Sequence, residues 1–517
     1  MWNKILTLKK DRSINVKLLA QSLVVGAIVG LVVGFFRYGI GQVSLLWLKA
    51  FQAAHDANWL LIPIFLGLCL TVVIVGFLVK QEPHVGGSGI PEVKLQLRGK
   101  LELTWYRILW RKLIGGIAII GTGLFLGPEG PALQLGSTVG QGVGEKDPSK
   151  SNQRVLLATG AASGLAAAFG APLAGALFVL EEVFHNFSSK VWLNALLGAL
   201  TADYVVTNIF GQKHALELTY QHSFPTNYYW QLIVLGILIG LLGHFYKKFL
   251  FAGKDAFSHV PLPRWLHGLV PIIFLLPIMY YVPVVSGPGH NMIMSLPKMI
   301  LTPSWGLATT LLGFLLLRFA YSIMCYDTGL PSGIFLPILT MGSLIGALFG
   351  VVCVELHLLP KELIINLIIF SMAGMFASII RAPFTAIILI TEMVGSLLHL
   401  MPLAVVAFFA ILVDMALGGS PIYDLLANAM DTEKATNLSG QEDEVRIAIV
   451  DDSQLIDHTI SEINWPKNTL VRVIVRGGLE VIPNGQTRIE PGDELILAVD
   501  HSQIGNVYDE MQALQKP

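Results

Sequence analysis

Charge is what this 517-residue sequence has least of. Asp, Glu, Lys and Arg make up 13% of it against 54% hydrophobic residues, where an average soluble domain carries roughly 25% charged residues. Mean hydropathy is +0.65. The scarcity is uneven: the last 87 positions hold 23 charged residues, about 26%, and the first 430 hold 46, about 11%. The front therefore reads as a polytopic membrane domain and the tail as a soluble one. Cysteine is almost missing too. Cys69, Cys325 and Cys353 are scattered in apolar runs, which excludes a disulfide framework and a cysteine metal site. There is no P-loop, no metal-ligand spacing and no nucleophile elbow, so neither an enzyme nor a metal or cofactor site is expected. The start, "MWNKILTLKKDRSINVK", lacks the apolar run and small-residue site of a cleavable signal peptide, and its basic character predicts a cytoplasmic N-terminus. The tail has 7 basic against 16 acidic residues, a net −9, which repels phosphate and argues against nucleic acid.

What is present is a series of apolar runs between residues 18 and 417. Several are shorter than the roughly 20 residues needed to cross hydrocarbon, and others end in Gly and Pro. Tilted helices broken in mid-membrane are expected, and such breaks survive only where they line a cavity or are buried in protein. The sequence also repeats itself. "GAPLAGALFVLEE" (170–182) aligns without gaps on "RAPFTAIILITEM" (381–393), pairing Pro172 with Pro383 and Glu181 with Glu392. Internal repeats of this kind mark transporters whose binding site lies between the two halves.

Four Gly-Pro breaks interrupt the apolar background: "GGSGIPE" (86–92), "GPEGP" (127–131), "GLPSGIFLP" (329–337) and "GSPIYD" (419–424). Pro fits the first turn of a helix, where its missing N–H has no partner in any case. Each break reads as the start of a half-helix whose free N–H groups and positive dipole end point inward, and several such ends together form an anion site without a buried Lys or Arg. Glu129 places a carboxylate at one of these ends. Ionised, it can take the anion's place; protonated, it can swing away and admit the anion. A plain helix cap is the alternative for Glu129, and a satisfied interhelical hydrogen bond is the alternative for Glu182. His84 and Asp327, near the breaks, are read as loop or cap residues.

These motifs, with the "APLAG…EE" and "RAPFT…E" repeat, resemble the CLC family of chloride channels and transporters over roughly residues 20–425. The resemblance implies an all-α polytopic membrane protein of two inverted-topology halves with broken half-helices, embedded in the lipid bilayer of the cell membrane as a homodimer with one pathway per subunit. It implies chloride as the substrate, with the Ser88 and Tyr423 hydroxyls and the backbone amides of Ile334 and Phe335 at a central site. Glu129 becomes the gating acid, competing with chloride for an outer site near the amides of Glu129 and Gly130. Glu182 becomes the inner proton-transfer acid, and Lys112 matches a lysine near that acid. Exchange of chloride for protons is the implied activity. A passive chloride channel on the same fold and a ligand sensor merely anchored in the membrane are the alternatives. Two departures stand out. Pro128 replaces a basic residue that often precedes the gating acid, removing a charge and an N–H. Lys94 stands where some antiporters carry an acid; with Lys112 it is expected to hold Glu182 ionised and slow proton entry.

The tail is expected to be a separate module, with residues 1–430 as the transport domain, 431–443 as a linker and 444–517 as a small cytoplasmic α+β domain. It reads strand "VRIAIV", helix "QLIDHTISEI", strand "TLVRVIV", then "GLEVIPN", "GDELILAV" and a helix from 502, on alternating apolar residues and Gly-bounded turns. It resembles the TrkA-C (RCK C-terminal) regulatory subdomain, which implies pairing and a possible small-molecule, nucleotide-type ligand; an inert stabilising domain is the alternative.

Overall fold

The computed structural model describes residues 16–185, 187–211, 216, 218, 223–430, 442–450, 453–477, 479–500 and 503–515. The basic start up to residue 15 and residues 431–441 of the linker expected over 431–443 lie outside them, and the last two positions of that expected linker already belong to a strand. Eighteen α-helices fall among the described residues, and eight segments are long and apolar enough to cross a membrane. Several others are short, such as Ile90–Leu97, Pro172–Phe178 and Ile422–Ala429. The longest, Val16–Asp56, has 41 residues and at 1.5 Å per residue exceeds any bilayer, so it is tilted or projects beyond the hydrocarbon. Outward positions such as Ile62, Leu66 and Leu70 are largely exposed, as lipid-facing residues of a spanning helix are.

The two halves use the same triplet of helices. Glu129–Gly144, Lys150–Phe169 and Pro172–Phe178 in the first correspond to Phe335–Glu355, Ile364–Ile380 and Pro383–Val394 in the second. In each half the first two helices pack backbone to backbone through small residues. A Cβ on Gly136 would lie 2.1 Å from the Gly160 carbonyl oxygen, and one on Gly346 would lie 2.4 Å from that of Leu367. Small residues that let backbones touch are the usual device for packing helices in lipid, where no hydrophobic effect drives association.

The repeated glutamates tie the halves together. Glu181 accepts from the backbone N–H of Phe384 and Thr385 at 3.2 and 2.8 Å. Glu392 accepts from Leu173 and Ala174 at 3.1 and 2.8 Å. Each half's acid caps the first turn of the other half's Pro-initiated helix, satisfying donors that no intrahelical carbonyl can reach. Glu181 is thus the structural member of the Glu181–Glu182 pair, as its acidic repeat mate indicates.

The tail folds around a four-stranded antiparallel sheet in which β1 (Glu442–Ala448), β2 (Thr469–Arg476), β3 (Leu479–Val481) and β4 (Glu494–Asp500) are ordered β1-β4-β2-β3. The helix Ile504–Leu514 covers it, and Val445, Ile474, Leu497, Val507 and Met511 form the core. The buried Asp493 takes two hydrogen bonds from the Arg476 guanidinium at 2.8 Å each. The helix expected over "QLIDHTISEI" does not form. Residues 454–463 make turns, with Asp457 at φ 65° and Thr459 bridged to Arg488. Backbone bonds from Asp457 to Ile489, Ile460 to Thr487 and Ser461 to Gly485 hold this stretch against a second strand of chain. Long-range pairing overrides the local helical pattern there.

Candidate functional site

Three of the four breaks are stitched to one another by their backbones. Gly127 and Gly333 exchange N–H···O bonds of 2.8 and 2.7 Å, while Gly87 N–H donates to Leu330 O at 3.1 Å and Ser332 N–H to Gly87 O at 3.0 Å. These bonds gather the starts of the Ile90, Glu129 and Phe335 helices at one point. Two glycines permit it. Gly89 holds φ 79° at the start of the Ile90 helix, a conformation natural to glycine. Gly130 lets the Glu129 helix press on the Ser88 loop, since a Cβ there would lie 2.7 Å from that of Ser88.

Two cavities approach this point. The one on the side of Leu426 and Met430, which we call inner, is about 460 Å³ and is lined by Ser88, Glu92, Tyr326 and Asp327, with Lys80, Lys254 and Arg264 also on its wall. The outer one, about 590 Å³, is lined by Arg37, Pro128, Glu129, His290 and Leu336. At the start of the Phe335 helix lies a cluster of buried side chains. Tyr423 is fully buried, with the Phe178 and Phe335 ring centroids 6.2 and 6.1 Å from its own. Its hydroxyl finds no hydrogen-bond partner among the described residues, and neither does Oε2 of the buried Glu129. An unpaired hydroxyl or carboxylate oxygen in a dry interior is costly, and these two lie where the helix starts converge. The backbone amides of Glu129 and Leu336 lie beside the Glu129 carboxylate.

Glu182 occupies a different place. It sits in a single π-helical turn, Val179–Val183, closed by Phe184 N–H donating to Val179 O at 2.7 Å; such turns recur at functional sites. Neighbouring helix positions point about 100° apart, so Glu181 reaches the other half while Glu182 turns inward, 2% exposed. It lines neither cavity. Its partner is the fully buried Lys94, whose ammonium donates to Glu182 Oε1 at 3.0 Å and also meets Asp424 Oδ1 at 2.8 Å. Arg98 reaches the same Asp424 oxygen at 3.0 Å.

The expectation for Lys112 is corrected here. Its ammonium donates to the carbonyls of Gly86 and Gly87 at 3.2 and 2.8 Å and is electrostatically paired with Glu92. Lys112 therefore holds the Ser88 loop from the middle of the Trp105–Ile120 helix, and Lys94 is the lysine beside Glu182. Asp327 ends its helix as a cap and also lines the inner cavity.

Sequence reading missed several residues. Arg37 faces the outer cavity, donates to Ala167 O at 2.9 Å and is electrostatically coupled to Glu129, supplying from another helix a charge that Pro128 lacks. Asp414 is buried against Lys247 at 2.7 Å and Arg381 at 3.2 Å. Lys247 also donates to Ser420 O at 3.0 Å, and Arg381 to Gly419 O, which fixes the loop leading to Tyr423. Asp424 was legible only as the last letter of the Tyr423 motif.

Comparison with known proteins agrees with this architecture. Residues 71–415 match the voltage gated chloride channel family and residues 445–512 the TrkA-C domain. The H(+)/Cl(-) exchange transporter ClcA of Salmonella arizonae is 32% identical over 438 residues, covering 81% of this chain and 90% of that protein. A crystal structure described as a slow cyanobacterial Cl-/H+ antiporter aligns with a TM-score of 0.75 at 30% identity, over 82% of this chain and all of that one. A CLC-type fluoride/proton antiporter aligns with a TM-score of 0.63 at 25% identity, over 78% of this chain and 96% of its own. With the helix starts converging as they do, and with matches of this extent, the chain belongs to the voltage gated chloride channel (CLC) family.

Proposed function

We propose that this protein exchanges chloride for protons across the membrane. In this reading chloride passes between the two cavities through a central site formed by the Ser88 and Tyr423 hydroxyls and the amides of Ile334 and Phe335. Glu129 gates the outer side, where its carboxylate and chloride compete for the amides of Glu129 and Gly130. The observation that carries the reading is the placement of two buried acids, one on the outer cavity and one, Glu182, lining neither cavity. A site of amides and hydroxyls stabilises anions and disfavours cations, so protons need a titratable group off the chloride route to reach Glu129. Intramembrane acids are costly and are functional candidates by default. On that route the Lys94 ammonium holds the Glu182 carboxylate at 3.0 Å.

The same reading carries a homodimer in the lipid bilayer with both termini cytoplasmic, and no cofactor. It divides the chain into a transport domain to residue 430, a linker that ends before the strand at Glu442 and a regulatory domain from there on that takes a small nucleotide-type ligand. A passive channel is the competing function. The reversal potential under an imposed pH gradient separates the two: an exchanger's potential moves with the pH difference, and a chloride channel's depends on chloride alone.

A further inference from the structure

The inner acid is the first member of a charged chain that leaves the membrane domain. Lys94 is shared between Glu182 at 3.0 Å and Asp424 at 2.8 Å, and Asp424 is shared between Lys94 and Arg98. The Arg98 guanidinium then lies over the ring of Tyr508, 5.9 Å from its centroid, in the last helix of the tail. That helix rests on the turn ending the Ile90 helix. Ile504 packs on Gly99, Gly505 on the stem of Lys100, and Lys100 pairs with Asp509. An exposed pair such as Lys100–Asp509 contributes little by itself, so the apolar contacts and the Arg98–Tyr508 stack carry most of the docking. The joint is nearly closed: the space between Arg98, Arg154, Lys190, Glu444, Arg446 and Tyr508 is about 40 Å³.

We propose that Asp424 and Arg98 are positioning residues for Glu182, and that the tail's last helix, by holding Arg98 on Asp424, sets how much of the Lys94 ammonium Glu182 receives. This rests on the exchanger reading above. With the helix docked, Asp424 has two cations and leaves Lys94 free to serve Glu182. With it undocked, Arg98 is released, Asp424 draws Lys94 to itself, and Glu182 takes up a proton at higher pH. The charged groups facing Glu182 are Lys94 and Arg98 at the end of the Ile90 helix and Asp424 on the Ile422 helix, and His185, just beyond the turn that carries Glu182, interacts with the same three. Among these groups Asp424 alone is shared between two cations.

The test is paired chloride and proton flux from the full-length protein in liposomes, recorded as a function of internal pH. Arg98→Gln is expected to move the proton-flux profile to alkaline pH by about one unit while chloride flux persists. Asp424→Asn is expected to move it the opposite way. Tyr508→Leu with Asp509→Asn should shift it in the direction of Arg98→Gln and add nothing when combined with it, since both act through one contact. Arg98→Lys, which keeps the charge, should restore most of the wild-type profile. Shifts of one sign in both the Arg98 and Asp424 variants, full additivity with the tail variant, no shift from the tail variant, or parallel loss of both fluxes would overturn the proposal. Wild-type protein that moves no protons fails the exchanger reading itself, whereas wild type and variants with coincident proton profiles fail only this one.

Discussion

In the proposed function a single side chain, Glu129, serves two ions, because a carboxylate at a helix N-terminus is an anion of the kind such a helix start binds. Replacing it with Gln leaves a neutral group that cannot compete, so chloride flux should persist without pH dependence and proton coupling should vanish. Flux from chloride-loaded liposomes at several pH values checks this. The central site is tested separately. Losing a hydrogen bond to a charged group costs about 1.5–3 kcal/mol, so Ser88→Ala with Tyr423→Phe should weaken chloride binding by at least about tenfold, measured by calorimetry. Glu129 and Ser88 could be picked out in the sequence because Gly and Pro bracket them where helix would otherwise continue. Lys94 was also visible as a departure. Its second carboxylate was not, because Asp424 sits at the far end of the membrane domain and only folding brings the two within 2.8 Å. Lys112 was misplaced for the same reason: a lysine on a neighbouring helix can point to a carboxylate or to a loop carbonyl, and the order of residues does not say which.

Among elements, the crossed caps between the repeats are the most exacting contact. Glu181 and Glu392 each receive backbone N–H bonds from the other half, and charge-assisted caps of this kind are worth more than neutral ones. Glu181→Gln and Glu392→Gln should each destabilise the protein by about 1–2 kcal/mol, visible as a lower melting temperature in detergent. The chloride-to-proton ratio should stay constant, with proton flux falling only as active protein is lost. Broken helices were legible at this scale, because a Gly-Pro break in an apolar run has few other uses. The π-helical turn at Val179–Val183 was not, since nothing in "VLEEV" departs from an ordinary helix. In the tail, "QLIDHTISEI" has a helical alternation of apolar residues, yet its backbone bonds go to residues 485–489. Local pattern loses to pairing with a distant segment whenever that pairing satisfies more backbone groups.

For the molecule as a whole, the repeat carried over into the fold as the crossed caps between the two sets of helices. The contact between the tail's last helix and Arg98 was not legible, because only folding brings Arg98 to Tyr508. Truncation after about residue 432 should leave chloride transport intact and change its pH dependence; a truncated protein that stays folded in detergent yet carries no chloride would place the tail inside the transport machinery. The central claim is that chloride and protons share Glu129 but reach it by separate routes, with Glu182 on the proton route alone. Paired chloride-electrode and pH-electrode traces on liposomes, for the wild type and Glu182→Gln, test it most directly. The wild type should drive protons against their gradient when chloride flows down its own, and Glu182→Gln should keep the chloride trace and lose the proton trace. A wild type that moves no protons, or a Glu182→Gln variant that still pumps them, would contradict the account.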